Sequence, residues 1–283
     1  MSMEGKVCLI TGATAGIGEV AAQALAGMGA QVVGVGRDAG RCASSARRIQ
    51  QTSGSSHVEY LVADLSSRQE VRRLASEFRQ HYSRLDVLVN NAGAYFYRRQ
   101  ESPDGIEMTF ALNHLAYFFL TGELLDLIKA SVPARIVNVS SEAHRGSSIH
   151  FADLQGKRRY SGYAAYGQSK LANVLFTYEL ARRLEGQAVT ANVLHPGFVA
   201  TRFGHNNGWL VSKVLGLVQK IAARTPEQGA ETIIYLASSP DVDGLSGMYF
   251  VDRRPLRSSP ESYDVETAQR LWKESAQMAA VAA

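Results

Sequence analysis

A tyrosine and a lysine one helical turn apart, Tyr166 and Lys170, follow a strand-like run that ends in two serines, Ser140 and Ser141. On a helix, positions i and i+4 share a face. A phenol on such a face can give a proton to a carbonyl oxygen or take one from an alcohol. Tyrosine ordinarily titrates near ~10, so it needs a cation beside it to work near neutrality, and Lys170 supplies one. A serine hydroxyl at the strand end can donate to the same oxygen and stabilise its developing charge. With twelve tyrosines in the chain, the Tyr-x-x-x-Lys spacing alone proves little, and its setting carries the weight.

A second constellation stands near the start of the chain, in Thr11-Gly-Ala-Thr-Ala-Gly-Ile-Gly18. It follows an apolar run and opens a helical pattern. A turn without Cβ atoms lets the backbone approach a pyrophosphate, and a helix N-terminus offers it free N–H groups and a positive dipole end. Gly12, Thr14, Ala15, Gly16, Ile17 and Gly18 form this expected cradle, spaced G-x-x-x-G-x-G. The second apolar run ends in Val35-Gly36-Arg37-Asp38, where an acidic residue would select NAD(H). The first polar side chain there is Arg37, with Arg41 one turn further on, and guanidinium groups suit a 2′-phosphate. NADP(H) is therefore expected over NAD(H), with Asp38 as the N-cap of the next helix. Asp64 and Leu65 end the third run, where the adenine edge would lie. Asn90, Ala92 and Gly93 end the fourth, where small residues let the backbone pass the ribose.

These groups must be positioned by a regular scaffold, and the apolar pattern predicts one. Near-continuous runs at Val7–Ile10, Gln31–Val35, Val58–Val62, Val87–Val89, Arg135–Val139, Val189–Leu194 and Met248–Val251 alternate with helical stretches. The latter include Gly16–Met28, Arg68–His81, Asp104–Lys129, Tyr163–Leu184, Pro226–Ala237 and a C-terminal helix over 263–279. Strands buried on both faces and separated by helices mean a parallel sheet with βαβ crossovers. The expectation is an α/β chain forming a single doubly wound Rossmann domain over 1–283, with about seven parallel strands and helices on both faces. The 283 residues are 46% hydrophobic and 20% charged, which supports a large core and argues against extensive disorder. A net charge of +4, spread as scattered pairs among acids, gives no basic face, so nucleic acid is not an expected partner. Cys8 and Cys42 have no metal-site spacing, so no metal is expected, and two isolated thiols suit a reducing compartment. The first residues run directly into the first strand, without a signal-peptide pattern or a stretch of eighteen apolar residues, so a cytoplasmic location is expected.

Taken in order, Thr-Gly-x-x-x-Gly-x-Gly, Asn-Asn-Ala-Gly, Asn113, Ser-Ser, Tyr-x-x-x-Lys and Pro196-Gly197 resemble the short-chain dehydrogenase/reductase family along the whole chain. The segments from Asn113 to Thr121, Ser140 to His144, Ile149 to Gln155 and Ser169 to Thr177 are similar to its retinol dehydrogenase-like branch. The resemblance implies a hydride transfer between the nicotinamide and a hydrophobic carbonyl or alcohol, such as a retinal, a steroid or an aliphatic aldehyde. It implies Tyr166 as general acid/base and Lys170 on the nicotinamide ribose. Ser141 would bind the carbonyl oxygen, with Ser140 as the alternative, and Asn113 would anchor a water in a proton relay to Lys170. Pro196, Gly197, Val199 and Thr201 would contact the cofactor carboxamide. A substrate lid is expected over 203–224, around Trp209 and Leu210, with Tyr95, Phe96 and Tyr97 lining the same pocket. The resemblance also implies a homodimer or homotetramer built on the two long helices. The lid could graze a membrane. A dinucleotide-sensing protein without turnover and a reductase of a small polar substrate are the alternatives; the retained Asn-Ser-Tyr-Lys set and the apolar lid stand against them.

Overall fold

The computed structural model describes residues 2–199 and 224–280. Its sheet is built from β1 (Val7–Thr11), β2 (Gln31–Gly36), β3 (Val58–Val62), β4 (Val87–Asn90), β5 (Ala134–Val139), β6 (Val189–Leu194), β7 (Tyr249–Val251) and β8 (Arg254–Leu256). The spatial order is β3-β2-β1-β4-β5-β6-β7-β8, parallel throughout except for β8. Alternation explains why the parallel strands read as continuous apolar runs. Leu9, Val33, Leu88 and Ile136 enter one core layer, whereas Cys8, Ile10, Val32, Val89 and Val137 enter the other.

Helices α1 (Gly16–Gly27) and α2 (Ala39–Ser53) cover the second layer, where Leu25 and Ile49 are buried. Helix α3 (Arg68–His81) covers the first, joined by α4 (Ala116–Ala130) and α5 (Gly162–Arg183). Helix α6 (Pro226–Ser238) packs back on α1, and its start is fixed by a capping box between Thr225 and Gln228. The chain reverses direction in space between β1 and β4, and the turns after those two adjacent strands lie side by side. In open α/β sheets that crevice is where a dinucleotide binds.

The seven parallel strands expected are present, and the sheet gains an eighth, antiparallel strand at its edge. β8 is a short, exposed Arg-Pro-Leu segment paired through a hairpin whose two turn residues, Asp252 and Arg253, both have positive φ (50° and 63°). Such a turn usually carries Asn-Gly; here side chains hold it, with Arg224 forked onto Asp252 and Thr232 accepting the Arg253 N–H at 3.1 Å. The helix expected from Asp104 begins only at Met108, where the Glu107 carboxylate caps it by accepting the N–H groups of Thr109 (2.8 Å) and Phe110 (2.7 Å), while the Asp104 carboxylate accepts the Arg68 N–H at 2.8 Å, at the start of α3. Between Met108–Phe110 and α4 the backbone widens into a π-helical turn over Ala111–Leu115.

The apolar residues of α5 find partners within the chain. Leu171, Val174, Leu175, Tyr178 and Leu184 of α5 are all buried within the one chain, and only Tyr163 is exposed. The C-terminal helix α7 (Val265–Ala280) lies against α5. Its Trp272 stacks on Phe176 at 5.7 Å between centroids, meets Phe118 edge-on at 4.9 Å, and sits under the Arg183 guanidinium at 4.3 Å. Trp272→Ala should therefore cost about 2 kcal/mol and lower Tm by roughly 5 °C, the cavity left in a partly buried aromatic cluster. Thermal unfolding of the variant checks this, and an unchanged Tm would mean that α7 contributes little to the fold.

Candidate active site

Gly12 ends β1 with φ of +66°, and a Cβ there would stand 2.9 Å from the Ala92 Cα and 3.0 Å from Asn91 Nδ2. At Gly18 a Cβ would meet Asn91 Nδ2 at 2.4 Å and the Gly12 carbonyl oxygen at 2.5 Å. The glycine turn thus lies flush against the segment after β4. Asn91 Nδ2 donates to the carbonyls of Thr11 (2.8 Å) and Gly12 (3.3 Å), and Thr11 Oγ1 accepts the N–H groups of Asn91 (2.8 Å) and Ala92 (3.0 Å). The N-cap of α1 is Ala15, which has no side-chain acceptor, so the first-turn N–H groups face the turn without a cap. The acid in that first turn, Glu19, is held by Arg48. A shallow cradle without side chains at an uncapped helix start fits a pyrophosphate. Asn91 is a site residue that the sequence reading passed over, although it stands inside the quoted Asn90-Asn-Ala-Gly.

Arg37 and Arg41 are both exposed at the end of β2, and Asp38 caps α2 by accepting the Arg41 N–H at 2.8 Å. Asp64 is exposed and turns its carboxylate onto Ser66, with Leu65 buried behind it. Asn90 does not face the crevice through its side chain. Its Nδ2 is spent inside the core on Thr121 Oγ1 (3.0 Å) and Asn138 Oδ1 (2.9 Å), tying β4 to α4 and β5. Val199 and Ile17 come together across Gly229, where a Cβ would meet both at 2.7 Å. Pro196 and Gly197 follow β6, with the Gly197 N–H donating to His195 Nδ1 at 3.0 Å. Thr201 and the expected lid, apart from Arg224, lie outside the described residues.

Across this crevice stand the reacting groups. Tyr166, Ser169 and Lys170 lie in the first half of α5, which Ser161 caps by accepting the Ala164 N–H. The two serines have different neighbours. Ser140 Oγ is buried and donates to the Lys170 carbonyl at 2.7 Å, whereas Ser141 is hydrogen-bonded to the Tyr166 phenol. Lys170 is only 4% exposed, and its Nζ donates to the Val139 carbonyl at 3.1 Å, 5.7 Å from the Tyr166 ring centre. Gly93 lies beside it: a Cβ there would press on Asn113 Oδ1 at 3.2 Å and stand in ordinary contact with Lys170 Nζ at 3.5 Å. Asn113, in the π-helical turn, has both amide hydrogens committed. Its Nδ2 donates to the Ala94 carbonyl and to Ser169 Oγ, both at 3.0 Å, and its Oδ1 accepts the Ala94 N–H at 2.9 Å. Its backbone carbonyl accepts from Asn173 Nδ2 at 2.8 Å and keeps a second lone pair to which a water can donate. Tyr95 meets Tyr166 edge-on at 6.0 Å, Phe96 is buried and Tyr97 is exposed.

Burial sets the protonation states. It pushes the Tyr166 phenol up to about 12, against a downward pull from the Ser141 hydroxyl, and brings Lys170 down to about 7 with no carboxylate beside it. Each resists its own charged form, because both lose solvent together. At neutral pH Tyr166 keeps its proton, the state needed to donate to a carbonyl oxygen.

Comparison with known proteins follows the same lines. Residues 6–208 match the family model described as short chain dehydrogenase. The chain is 44% identical over 285 residues to retinol dehydrogenase 14 of Homo sapiens, covering 95% of this chain and 85% of that protein. An uncharacterized protein from Mycobacterium Paratuberculosis shares the fold with a TM-score of 0.80 at 33% identity, covering 99% of this chain and 95% of that one. The RhlG protein of Pseudomonas aeruginosa, solved as an active-site complex with NADP, superposes with a TM-score of 0.70 at 32% identity. That match covers 88% of this chain and 95% of the other.

The depressed lysine has a measurable consequence. Below pH 7 the Lys170 ammonium is charged in both folded and unfolded chains, and its burial opposes folding. From about 7 up to the ordinary lysine range only the unfolded chain holds that proton, so this opposition fades as pH rises. Lys170→Met should therefore raise Tm relative to the parent by more at pH 6 than at pH 10. Equal differences at the two pH values would show that charge at this position is not what burial resists.

Proposed function

The chain belongs to the short-chain dehydrogenase family, and from that premise we propose that it is an NADP(H)-dependent oxidoreductase of a hydrophobic carbonyl/alcohol pair, with Tyr166 as general acid/base. The observation that carries this reading is the grouping of Tyr166, Ser141 and Lys170 opposite the glycine cradle, with Gly93 between. The nicotinamide supplies or accepts the hydride. In reduction, Tyr166 passes its phenolic proton to the carbonyl oxygen as that oxygen gains charge, and the Ser141 hydroxyl donates to the same oxygen. Ser141 can do so because its Oγ acts as acceptor, not donor, toward the Ala143 N–H at 3.3 Å. Gly12, Gly16 and Gly18 with the start of α1 hold the pyrophosphate, and Lys170 holds the ribose. Among the described residues the Arg37 and Arg41 guanidinium groups bond no other side chain, Arg41 engaging Asp38 only through its backbone N–H, and both are available to a 2′-phosphate.

The substrate class draws on two supports. Tyr95 beside Tyr166, with exposed Tyr97 and Phe198, offers aromatic rather than charged walls. The curated relative at 44% identity is named for retinol. No helix among the described residues is long and apolar enough to cross a membrane. Two buried free thiols, Cys8 and Cys42, fit a reducing compartment. For assembly, the homodimer or homotetramer that the resemblance implies is the reading kept, and light scattering at micromolar concentration tests it.

Following NADPH absorbance with retinal, a steroid ketone and long and short aldehydes tests the reaction. Tyr166→Phe should lower kcat/KM at least a hundredfold while leaving NADPH affinity within about twofold, since only the proton donor is lost. Turnover within about tenfold of the parent would remove Tyr166 from the role. NADPH should bind roughly ten- to a hundredfold more tightly than NADH, the worth of one charge-assisted contact of about 1.5–3 kcal/mol. Arg37→Asp should reverse the order; equal affinities in the parent chain would mean that Arg37 faces solvent with the cofactor bound.

A further inference from the structure

Two buried histidines that the reaction does not use stand beside the reacting groups. His114 follows Asn113 directly, and His144 lies three residues after Ser141; neither ring is exposed. Each joins the site to the C-terminal segment. His114 Nε2 lies 2.9 Å from Ser275 Oγ in α7, and its Nδ1 lies 3.3 Å from Asn173 Oδ1. His144 Nε2 accepts the Ser259 N–H at 3.1 Å, and its Nδ1 lies 2.7 Å from the Ser141 carbonyl oxygen.

The partners fix one tautomer at both rings. Asn173 Nδ2 donates to the carbonyls of Asn113 (2.8 Å) and Val139 (3.4 Å), so its Oδ1 is the acceptor facing His114. Nδ1 of His114 must then carry the hydrogen, and Ser275 must donate to Nε2. For His144 a carbonyl on Nδ1 and an N–H on Nε2 require the same arrangement. Burial holds both imidazoles below the usual histidine range, His114 at about 4. A neutral ring with one donor and one acceptor, both used, is a rigid strut. Leucine or phenylalanine would fill the aromatic pocket around His114, formed by Phe110, Phe118 and Phe176, without making either bond.

We infer that His114 and His144 are positioning residues through which the C-terminal segment sets the placement of the Asn113 carbonyl and of Ser141. The first arm runs Ser275–His114–Asn173 to the Asn113 carbonyl and to the Val139 carbonyl, which also takes the Lys170 ammonium. The second runs Ser259–His144 to the backbone of Ser141. Its far end is anchored in turn, because Tyr178 Oη, Ser258 Oγ and Ser262 Oγ bond in a row at 2.7 and 2.6 Å, and Arg145 donates to the Arg257 carbonyl at 2.7 Å. The segment from 257 to 280 thus braces the proton-handling groups from behind. This inference rests on the assignment of Ser141, Tyr166 and Lys170 above.

Two mild substitutions separate the arms. Ser275→Ala removes only the donor to His114. His144→Asn keeps an amide N–H where Nδ1 stands and loses the reach to Ser259. Amide hydrogen exchange should rise at least tenfold over residues 111–116 in the first variant and over 141–145 in the second, each leaving the other segment unchanged. Both should lower kcat about five- to twentyfold with NADPH affinity within twofold, and Ser275→Thr, which keeps a hydroxyl, should restore the parent values. Parent-like exchange and kcat at 25 °C with only a lower Tm would reduce both histidines to packing and overturn the inference. If the parent chain reduces no carbonyl offered, the proposed reaction fails on its own, and the exchange pattern still decides whether the bracing exists.

Discussion

The carbonyl of Val139, the last residue of β5, is the point at which the scaffold and the chemistry meet. It accepts from Lys170 Nζ at 3.1 Å, Asn173 Nδ2 at 3.4 Å and Tyr117 Oη at 3.4 Å, so one backbone oxygen gathers α4 and α5 to the strand end. Among the described residues no carboxylate stands beside the lysine to neutralise it. A buried ammonium without a counter-ion is expensive, and it stays in place because its position is over-determined by backbone oxygens and packing. The polar core around it follows from this. Asn90, Asn138 and Thr177 link in series at 2.9 Å, Thr177 returns to the Asn173 carbonyl at 2.7 Å, and Asn173 reaches Asn113. In a low-dielectric interior each of these bonds is strong when made and costly when lost. The network therefore holds the strand ends in one arrangement more firmly than apolar packing would.

Most of the scaffold was legible in the sequence, because a strand buried on both faces is apolar at most positions and not only at alternate ones. Val7–Thr11, Gln31–Gly36 and Val189–Leu194 are of this kind. β8 was not legible: its residues are exposed, one is proline, and its turn uses Asp252 and Arg253 at positive φ without a glycine to announce it. The start of the helix toward α4 was misread for a different reason. Asp104 resembles a helix-capping residue and is one, but for α3, a contact across 36 residues that no local pattern encodes.

The candidate site divides the same way. Spacing brought Tyr166 and Lys170 to one helix face, and the order of the motifs put the glycine turn across from them. Which atom of a residue faces the crevice was not readable. Asn90 turns its amide into the core, while the neighbouring Asn91 seals the glycine turn. Asn113 commits both amide hydrogens to Ala94 and Ser169, and its carbonyl takes the Asn173 amide. Lone buried histidines carry little spacing signal: the partners of His114 lie 59 and 161 residues away, and His144, bonded locally to the Ser141 carbonyl, has its other partner 115 residues away. Nor could composition show that the apolar surplus of α5 is covered by α7 from the same chain.

That covering links stability to chemistry. Helix α7 carries Trp272 on one turn and Ser275 on the next. The first fills the apolar seam with Phe118 and Phe176, and the second reaches the ring nitrogen of His114. Burial of the tryptophan fixes the helix against α5, and a helix so fixed holds its serine hydroxyl at hydrogen-bonding distance without further ordering cost. Apolar burial thus supplies the free energy and the hydrogen bond supplies the direction. Loosening α7 would leave a buried imidazole acceptor unpaired, and that penalty is larger than the worth of the bond itself. A chain built this way couples docking of its last helix to the geometry of its proton-handling groups. It does so through contacts that never touch the substrate.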